Sequence, residues 1–387
     1  MSECQVSPYE VPREFEDFRT VIAQIVRERV APRAQAIDAE ASYPWELRAL
    51  FAEHDLFALP FEERHGGTGT GHLMQVIAIE ELAKACASSA LMLAVHDLGS
   101  LPIRLAGSEG MQDRVLPRLA SGDWVPAFAL SEPDAGSDPG GMKTRAASDG
   151  DGWILNGAKN WISQAGVADV YVVFAITDPT QGHARGITAF LVERDLPGFV
   201  VGRPEHKLGI RGSPTAALSF DDVRLSADSV IGEPGRGFRI AMATLDRSRL
   251  GIAAQALGIA QGAIDYAAAY ARERRQFGRP IADFQGIQFK LADMETQTAA
   301  ARQLLYNAAA KADRGDADMG KHSAMAKLFC SDTAMAVTVE AVQVLGGYGY
   351  VSDYPVERMM RDAKITQIYE GTNEIQRLVI SRAVLQP

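Results

Sequence analysis

The apolar residues of this chain change period twice, which rules out a fold built on one kind of regular element. Up to about residue 123 they recur at helical spacing. Phe15, Phe18, Ile22, Ile25 and Val30 fall on one helix face until Pro32 stops the run. Beyond Gly66-Gly67-Thr68-Gly69-Thr70-Gly71 a second apolar helix runs from His72 to about Ala85. Ser88 to Leu105 then continues as a helix rich in small residues, suited to lining a pocket or packing a core. The glycine cluster lacks G-x-x-x-x-G-K spacing and follows no strand, so it reads as a connecting loop and not a phosphate cradle.

From about 124 to 232 the pattern is that of short strands. Trp153-Ile154-Leu155 leads into Asn156-Gly157, a strong turn signal. Val170 to Ile176 and Ile187 to Val192 are continuous runs dense in β-branched and aromatic residues, and Leu218 to Val223 is a further strand. After Gly235-Arg236-Gly237 the helical period returns. Leu250, Leu257 and Ile264 form one row and Ile252, Ile259 and Tyr266 another, so this helix is apolar on two faces and sits inside a bundle. Phe284, Ile287, Leu291, Met294, Ala301 and Leu305 make a narrower seam on the next helix, and a third runs from about Lys321 to Leu345 and stops at Gly346-Gly347. With the terminal helix these form a four-helix bundle. The chain is thus mostly α with a β domain: an N-terminal helical domain over 1–123, a middle β domain over 124–232 and a C-terminal four-helix bundle over 233–387.

Composition narrows the function classes. A hydrophobic fraction of 47% with 23% charged residues is that of a soluble globular protein, and no uninterrupted apolar run approaches the ~20 residues of a membrane span. A net charge of −10 argues against nucleic-acid binding. Cys4, Cys86 and Cys330 are too far apart for a disulfide framework or a metal site and read as reduced thiols. With no signal pattern at Met1-Ser2-Glu3-Cys4, the expected location is cytoplasmic.

Three stretches carry chemistry. In Tyr369-Glu370-Gly371-Thr372-Asn373-Glu374 a carboxylate stands beside a glycine between two helical patterns, and Asn373 with Gln376 reads as a capping box opening the last helix. Glu370 can then project into a pocket and serve as a general base if its surroundings raise its proton affinity. Phe128-Ala129-Leu130-Ser131-Glu132-Pro133-Asp134-Ala135-Gly136-Ser137-Asp138 combines small residues, hydroxyls and a proline that stiffens the turn, so that backbone N–H groups can approach a planar ring or a phosphate. Trp161-Ile162-Ser163 sets a flat indole beside a hydroxyl.

Taken together these stretches resemble the acyl-CoA dehydrogenase family over nearly the whole chain. The signature turn is Ala129 to Asp138, the tryptophan motif Trp161-Ile162-Ser163, and the terminal signature Arg361-Asp362-Ala363-Lys364-Ile365-Thr366-Gln367-Ile368-Tyr369-Glu370-Gly371-Thr372. Arg274-Arg275-Gln276-Phe277-Gly278 and Gln343-Val344-Leu345-Gly346-Gly347 are similar to the family's two cofactor contacts from a neighbouring subunit. The resemblance implies a β-barrel-like middle domain and FAD held between it and the bundle across a subunit interface. Phe128, Ala129, Leu130, Ser131, Gly136, Ser137, Trp161, Ile162 and Ser163 would then line the flavin. Arg274, Phe277, Gln285, Gln343, Val344, Leu345, Gly346, Gly347, Thr372 and Glu374 would hold the rest of the cofactor. Ser137, Asp246, Arg249, Tyr369 and Gly371 would meet the acyl-CoA, although Asp246 and Arg249 are also spaced for a surface ion pair. Serine stands at 131 and 163 where threonine is common, and Asp134 where glycine is common.

The implied reaction is α,β-dehydrogenation of a short, straight or branched, acyl-CoA to a trans-2-enoyl-CoA. Glu370 removes the α-proton, hydride passes to flavin N5, and electrons go on to an electron-transferring flavoprotein. The Glu370 backbone N–H and a ribityl hydroxyl would stabilise the developing enolate. In some relatives the base lies on the first bundle helix; the matching position here is Ser248, which cannot serve. The resemblance further implies a homo-oligomer, expected to be a tetramer, and no metal. Two other readings compete: an O2-using oxidase or monooxygenase on the same scaffold, and a non-catalytic DNA-binding flavoprotein. Chain length and Glu370 favour the dehydrogenase over the first, and the acidic balance disfavours the second.

Overall fold

In the computed structural model, which describes residues 11–385, Pro32 does not end the first helix. Helix α1 (Arg13–Ile25) passes into a π-helical turn at Val26–Val30 and a 3-10 turn at Ala31–Arg33, then continues as α2 (Ala34–Glu40). The proline sits early in the fresh 3-10 turn, and the widened turn before it makes room for the missing N–H. Helices α3 (Trp45–Glu53), α4 (Gly71–Ala85), α5 (Ala87–Ala106) and α6 (Glu109–Ala120) complete the N-terminal part. Every residue from Ala87 to Ile103 is buried, so α5 is an internal helix, as its small apolar composition requires.

The β domain contains β1 (Pro126–Ala129), β2 (Arg145–Asp149), β3 (Gly152–Ser163), β4 (Val170–Ile176), a short helix α7 (Gly182–Gly186), β5 (Ile187–Glu193), β6 (Phe199–Val201), β7 (Thr215–Leu225) and β8 (Val230–Ile231). They form one eight-stranded sheet in the order β6-β7-β3-β2-β4-β5-β8, with β1 parallel to β4. Alternation explains the continuous apolar runs. Val170, Val172 and Phe174 of β4 face the helices, whereas Tyr171, Val173 and Ala175 face a second core shared with Leu155, Leu218 and Phe220 of β3 and β7. A strand buried on both faces has no polar side to show.

Asn156-Gly157 is not the turn its sequence promises. The hairpin between β2 and β3 pairs Asp149 with Gly152, with Gly150 at φ +61°. Asn156-Gly157 lies inside β3, where the register against β7 shifts from Leu155–Val223 to Gly157–Phe220. The Asn156 amide closes this bulge by exchanging two hydrogen bonds with Asp222, at 3.0 and 2.9 Å. Gly157 adopts φ +138°, and a Cβ there would approach Thr144 to 2.7 Å.

The C-terminal part is α8 (Gly237–Glu273), α9 (Gln285–Arg314), α10 (Met319–Leu345), α11 (Pro355–Thr366) and α12 (Asn373–Leu385). The C-terminal part thus has one helix more than the four of the sequence reading, α11, and the break before α12 at Glu370 falls where the sequence placed it. Helix α8 is about 55 Å long and packs against α4, α5, α9, α10 and α11. Gly258 and Gly262 let it approach α4 so closely that a Cβ would lie 2.2 Å from the Glu80 carbonyl and 2.1 Å from that of Lys84. The stretch Met319–Tyr350 is long and apolar enough to cross a membrane by length and composition; α10 within it packs against α8, α9, α11 and α12. Cys86 and Cys330 are free and buried, and Cys4 lies outside the described residues.

Candidate active site

The break between α11 and α12 is a tight one. Ile368 N–H and Tyr369 N–H return to the Ile365 carbonyl, and Asn373 N–H returns to that of Gln367 at 3.0 Å. Glu370 adopts the left-handed conformation, φ +52°, followed by Gly371 at φ +90°. Such a backbone at a non-glycine residue is strained and is held by its surroundings. The capping box is absent. Thr372 caps α12 by accepting from Ile375 N–H at 3.4 Å, while Asn373 turns inward and is buried. Gln376 reaches back to donate to the carbonyls of Glu370 and Gly371, at 3.2 and 2.8 Å.

Held in this way, the Glu370 side chain points at α8. Its Oε2 accepts from Ser248 Oγ at 2.6 Å, and its carbonyl accepts from Arg249 Nε at 3.4 Å. Burial pushes the Glu370 carboxyl up to about 7, against the Ser248 hydrogen bond and the positive charges of Arg249 and Lys327. Arg249 pairs with Asp246 at 2.8 Å; the arginine side chain is 4% exposed and the aspartate 39%, so the pair is buried at its Arg249 end and open at Asp246. Lys327 of α10 is fully buried, and its Nζ donates to the Gly371 carbonyl at 2.8 Å and to Asn373 Oδ1 at 3.0 Å.

Behind Glu370 a second set of polar groups closes the space between α5 and α8. Tyr369 donates its hydroxyl proton to Gln255 Oε1, and Gln255 Nε2 donates to the Ala87 carbonyl at 2.9 Å. Gln255 is fully buried, and burial holds the Tyr369 hydroxyl well above its usual range.

The turn after β1 is fastened from beneath. Lys159 Nζ donates to the Leu130 carbonyl at 3.1 Å and to Glu132 Oε1 at 2.8 Å. The Glu132 carboxylate also accepts from the backbone N–H groups of Lys143 and Thr144. Burial alone would raise the Glu132 carboxyl; Lys159 and these donors hold it below its usual range, while burial pushes the Lys159 ammonium down to about 8. Asn160 N–H donates to the Ser131 carbonyl at 2.9 Å and so ties the turn to the tryptophan motif. Trp161 adopts φ +61° and leaves its indole 61% exposed, beside the partly exposed Ser131 and Ser163 and the open Gly136 and Ser137. Asp134 keeps a negative φ and pairs with Lys143 at 2.7 Å on the surface. The side chains of Ala129, Leu130 and Ile162 are buried, so only their backbone faces a ligand.

The remaining residues gather at the far end of the bundle. Arg274 follows the last turn of α8, with its guanidinium over the Tyr348 ring at 5.3 Å. Phe277 is 93% exposed on the hairpin beyond it, Gln285 opens α9, and Gln343, Gly346 and Gly347 end α10. The side chains of Val344 and Leu345 are in the bundle core, which leaves their backbone for contact. From Arg249 to Arg274 is about 37 Å along α8.

Comparison with known proteins places the whole chain in one family. Family models for the N-terminal, middle and C-terminal domains of acyl-CoA dehydrogenase match residues 12–123, 127–223 and 235–385. The chain belongs to the acyl-CoA dehydrogenase family. A Mycobacterium tuberculosis protein named a probable acyl-CoA dehydrogenase, FadE25, is 50% identical over 98% of this chain and 97% of its own length. The structure of butyryl-CoA dehydrogenase from Megasphaera elsdenii superposes with a TM-score of 0.95 at 44% identity, covering 98% of this chain and all of that one. A chain from a structure titled for the electron transferring flavoprotein of Acidaminococcus fermentans superposes at 0.96, with 43% identity and coverage of 98% and 100%.

As an acyl-CoA dehydrogenase the chain is an FAD-dependent oxidoreductase of acyl-CoA thioesters. The β-domain face fits such a group. An exposed indole at a left-handed residue, two neighbouring hydroxyls and a glycine with open space beside it offer a planar ring one apolar face and polar edges. Lys327 and the Lys159–Glu132 pair are site residues that the sequence motifs do not single out, and Ser248 is read from the sequence only as unable to serve as the base. Lys327 and Lys159 had a signal, each a lone charge within an otherwise apolar or small-residue stretch.

Proposed function

We propose that this acyl-CoA dehydrogenase oxidises a short acyl-CoA to the trans-2-enoyl-CoA with Glu370 as the base. The observation that carries the reading is the placement of Glu370. Its carboxylate stands in a largely buried, hydrogen-bonded position where burial raises its proton affinity to near neutrality, the range in which a general base works best. The α-proton moves to Glu370 as the Cα–Cβ double bond forms. FAD held by the flavin-facing residues would supply the acceptor for the hydride that leaves Cβ. The Glu370 N–H makes no hydrogen bond among the described residues and is free to support the developing enolate oxygen. Asp246, Arg249, Ser137, Tyr369 and Gly371 border the thioester in this reading.

The floor between α5 and α8 supports a short acyl chain. A longer tail would have to displace the buried Gln255 amide from both Ala87 and Tyr369, leaving polar groups unpaired inside the protein. Likeness to the butyryl-CoA dehydrogenase supports the same class. The neighbour titled for an electron transferring flavoprotein supports such a flavoprotein as electron acceptor.

The flavin site spans two copies of the chain in this reading. Trp161 and Ser131 lie on the β domain, which packs against the first turns of α8, whereas Arg274 and Gln343 to Gly347 stand at the far end of that helix, which is about 55 Å long. The placement of the two sets at opposite ends of α8 supports a site in which each set completes a neighbour's, with the chain working as an oligomer, read as a tetramer. The test of the whole reading is anaerobic: butyryl-CoA bleaches the flavin of the parent, and Glu370→Gln keeps its flavin but is reduced roughly 10²–10⁴-fold more slowly. Reduction of Glu370→Gln at the parental rate rejects the assignment.

A further inference from the structure

Lys327 is an uncommon residue to find at 0% exposure in the middle of a helix. It has no ion-pair partner within bonding distance among the described residues. Its ammonium ends instead on the neutral oxygens of Gly371 and Asn373. Asn373 is fixed in turn, its Nδ2 donating to Ser331 Oγ at 2.9 Å and to Asp332 Oδ1 at 2.7 Å, so the Oδ1 presented to Lys327 has one orientation. A neutral donor would tie the loop equally well without the cost of burying a charge. The charge itself therefore has work to do.

We propose that Lys327 is a positioning residue of the active site: it fastens the loop that carries Glu370, and its positive charge keeps the Glu370 carboxylate ionised at the pH of turnover. The inference rests on the reading of Glu370 as base. The groups facing Lys327 are Glu370 on the loop, Arg249 on α8, Asp332 on its own helix and Glu374 on α12. Those facing Glu370 are Ser248 and Arg249 on α8, Lys327 on α10 and Asp97 on α5. Burial pushes the Lys327 ammonium down to about 7, with Glu370 pulling the other way, so the two groups titrate in the same range and each charge favours the other. The sign follows directly. Removing the Lys327 charge raises the proton affinity of Glu370, so the acid limb of kcat/KM moves to higher pH.

The experiment compares the parent, Lys327→Met and Lys327→Gln as holoenzymes, with FAD content measured on each preparation. Glutamine retains a donor for the Gly371 carbonyl without the charge. The expected result is an acid limb displaced upward by about one pH unit in both variants, a tenfold lower kcat/KM below it. A folded, flavinated variant whose limb stays in the parental position overturns the proposal. Should both variants fail to fold, Lys327→Arg keeps the positive charge: a limb at the parental position is expected, and a limb displaced upward by about one unit overturns the proposal. Glu370→Gln is run alongside. Its reduction at the parental rate overturns the base assignment and this inference with it, whereas a slow Glu370→Gln with unmoved Lys327 limbs overturns this inference alone.

Discussion

Ser248 Oγ, on the first bundle helix, donates a 2.6 Å hydrogen bond to Glu370 Oε2, on the loop before the last one. The two positions lie far apart in the chain yet share one hydrogen bond, and under the proposed function one proton-transfer site. The serine therefore shapes the base even though it cannot itself act as one.

Ser248→Ala removes a hydrogen bond that stabilises the ionised Glu370, so the carboxyl should rise above its present position of about 7. With Glu370 as the base, activity requires the ionised form and is lost as pH falls through that value. The acid limb of kcat/KM should thus move up by about one unit, the usual worth of a hydrogen bond to a charged group, while the rate at high pH is nearly unchanged. A pH series of kcat/KM with butyryl-CoA reads this directly.

Chain-length preference should follow Gln255. The parent is expected to work best on acyl chains of about four to six carbons, and Gln255→Ala to shift the optimum toward longer chains, each added methylene being worth about 1–3 kcal/mol. The variant also leaves the Tyr369 hydroxyl and the Ala87 carbonyl without their partner, so some loss of stability accompanies the shift. A graded panel of acyl-CoA thioesters distinguishes an altered optimum from a uniform fall in rate.

Arg274→Ala should weaken FAD binding and leave the Glu370 site intact. An arginine offers paired, charge-assisted bonds to a pyrophosphate, and alanine offers none. If the cofactor bridges two chains, its loss also weakens association. Sedimentation at micromolar protein, with and without added FAD, measures both effects; a fully flavinated monomer of the parent would rule out the shared site.

Lys159→Met should be more damaging than its distance from Glu370 implies. It strands the Glu132 carboxylate in the β domain, a change that costs about 3–5 kcal/mol when one partner of a buried pair is removed. It also frees the Leu130 carbonyl beneath the flavin-facing turn. Thermal melts should show the lost stability, and the ratio of visible to ultraviolet absorbance the lost FAD.

The architecture was legible because burial writes itself into period. Val170 to Ile176 is apolar throughout because both faces of β4 are covered, and Leu250 and Ile252 head two rows because α8 is surrounded. Local signals failed where a distant contact outweighed them. Asn156-Gly157 forms a bulge because Asp222 of another strand supplies the partner. Asn373 leaves its capping role because Lys327 and Ser331 draw its amide inward. Pro32 sits early in a new turn and stops nothing. Glu370 and the flavin-facing turn stood out through resemblance, whereas Gln255 and Lys327 acquire meaning only once α5, α8 and α10 are side by side.

Helix α8 runs unbroken from Gly237 to Glu273, with Ser248 and Arg249 near one end and Arg274 at the other. In the proposed shared-site assembly it acts as a ruler between two cofactor sites. One residue inserted between Arg249 and Arg274 would turn one end against the other by about 100° and lengthen the rod by about 1.5 Å. Side chains along it can be exchanged one at a time, but a single insertion or deletion would put one catalytic centre out of register with the next.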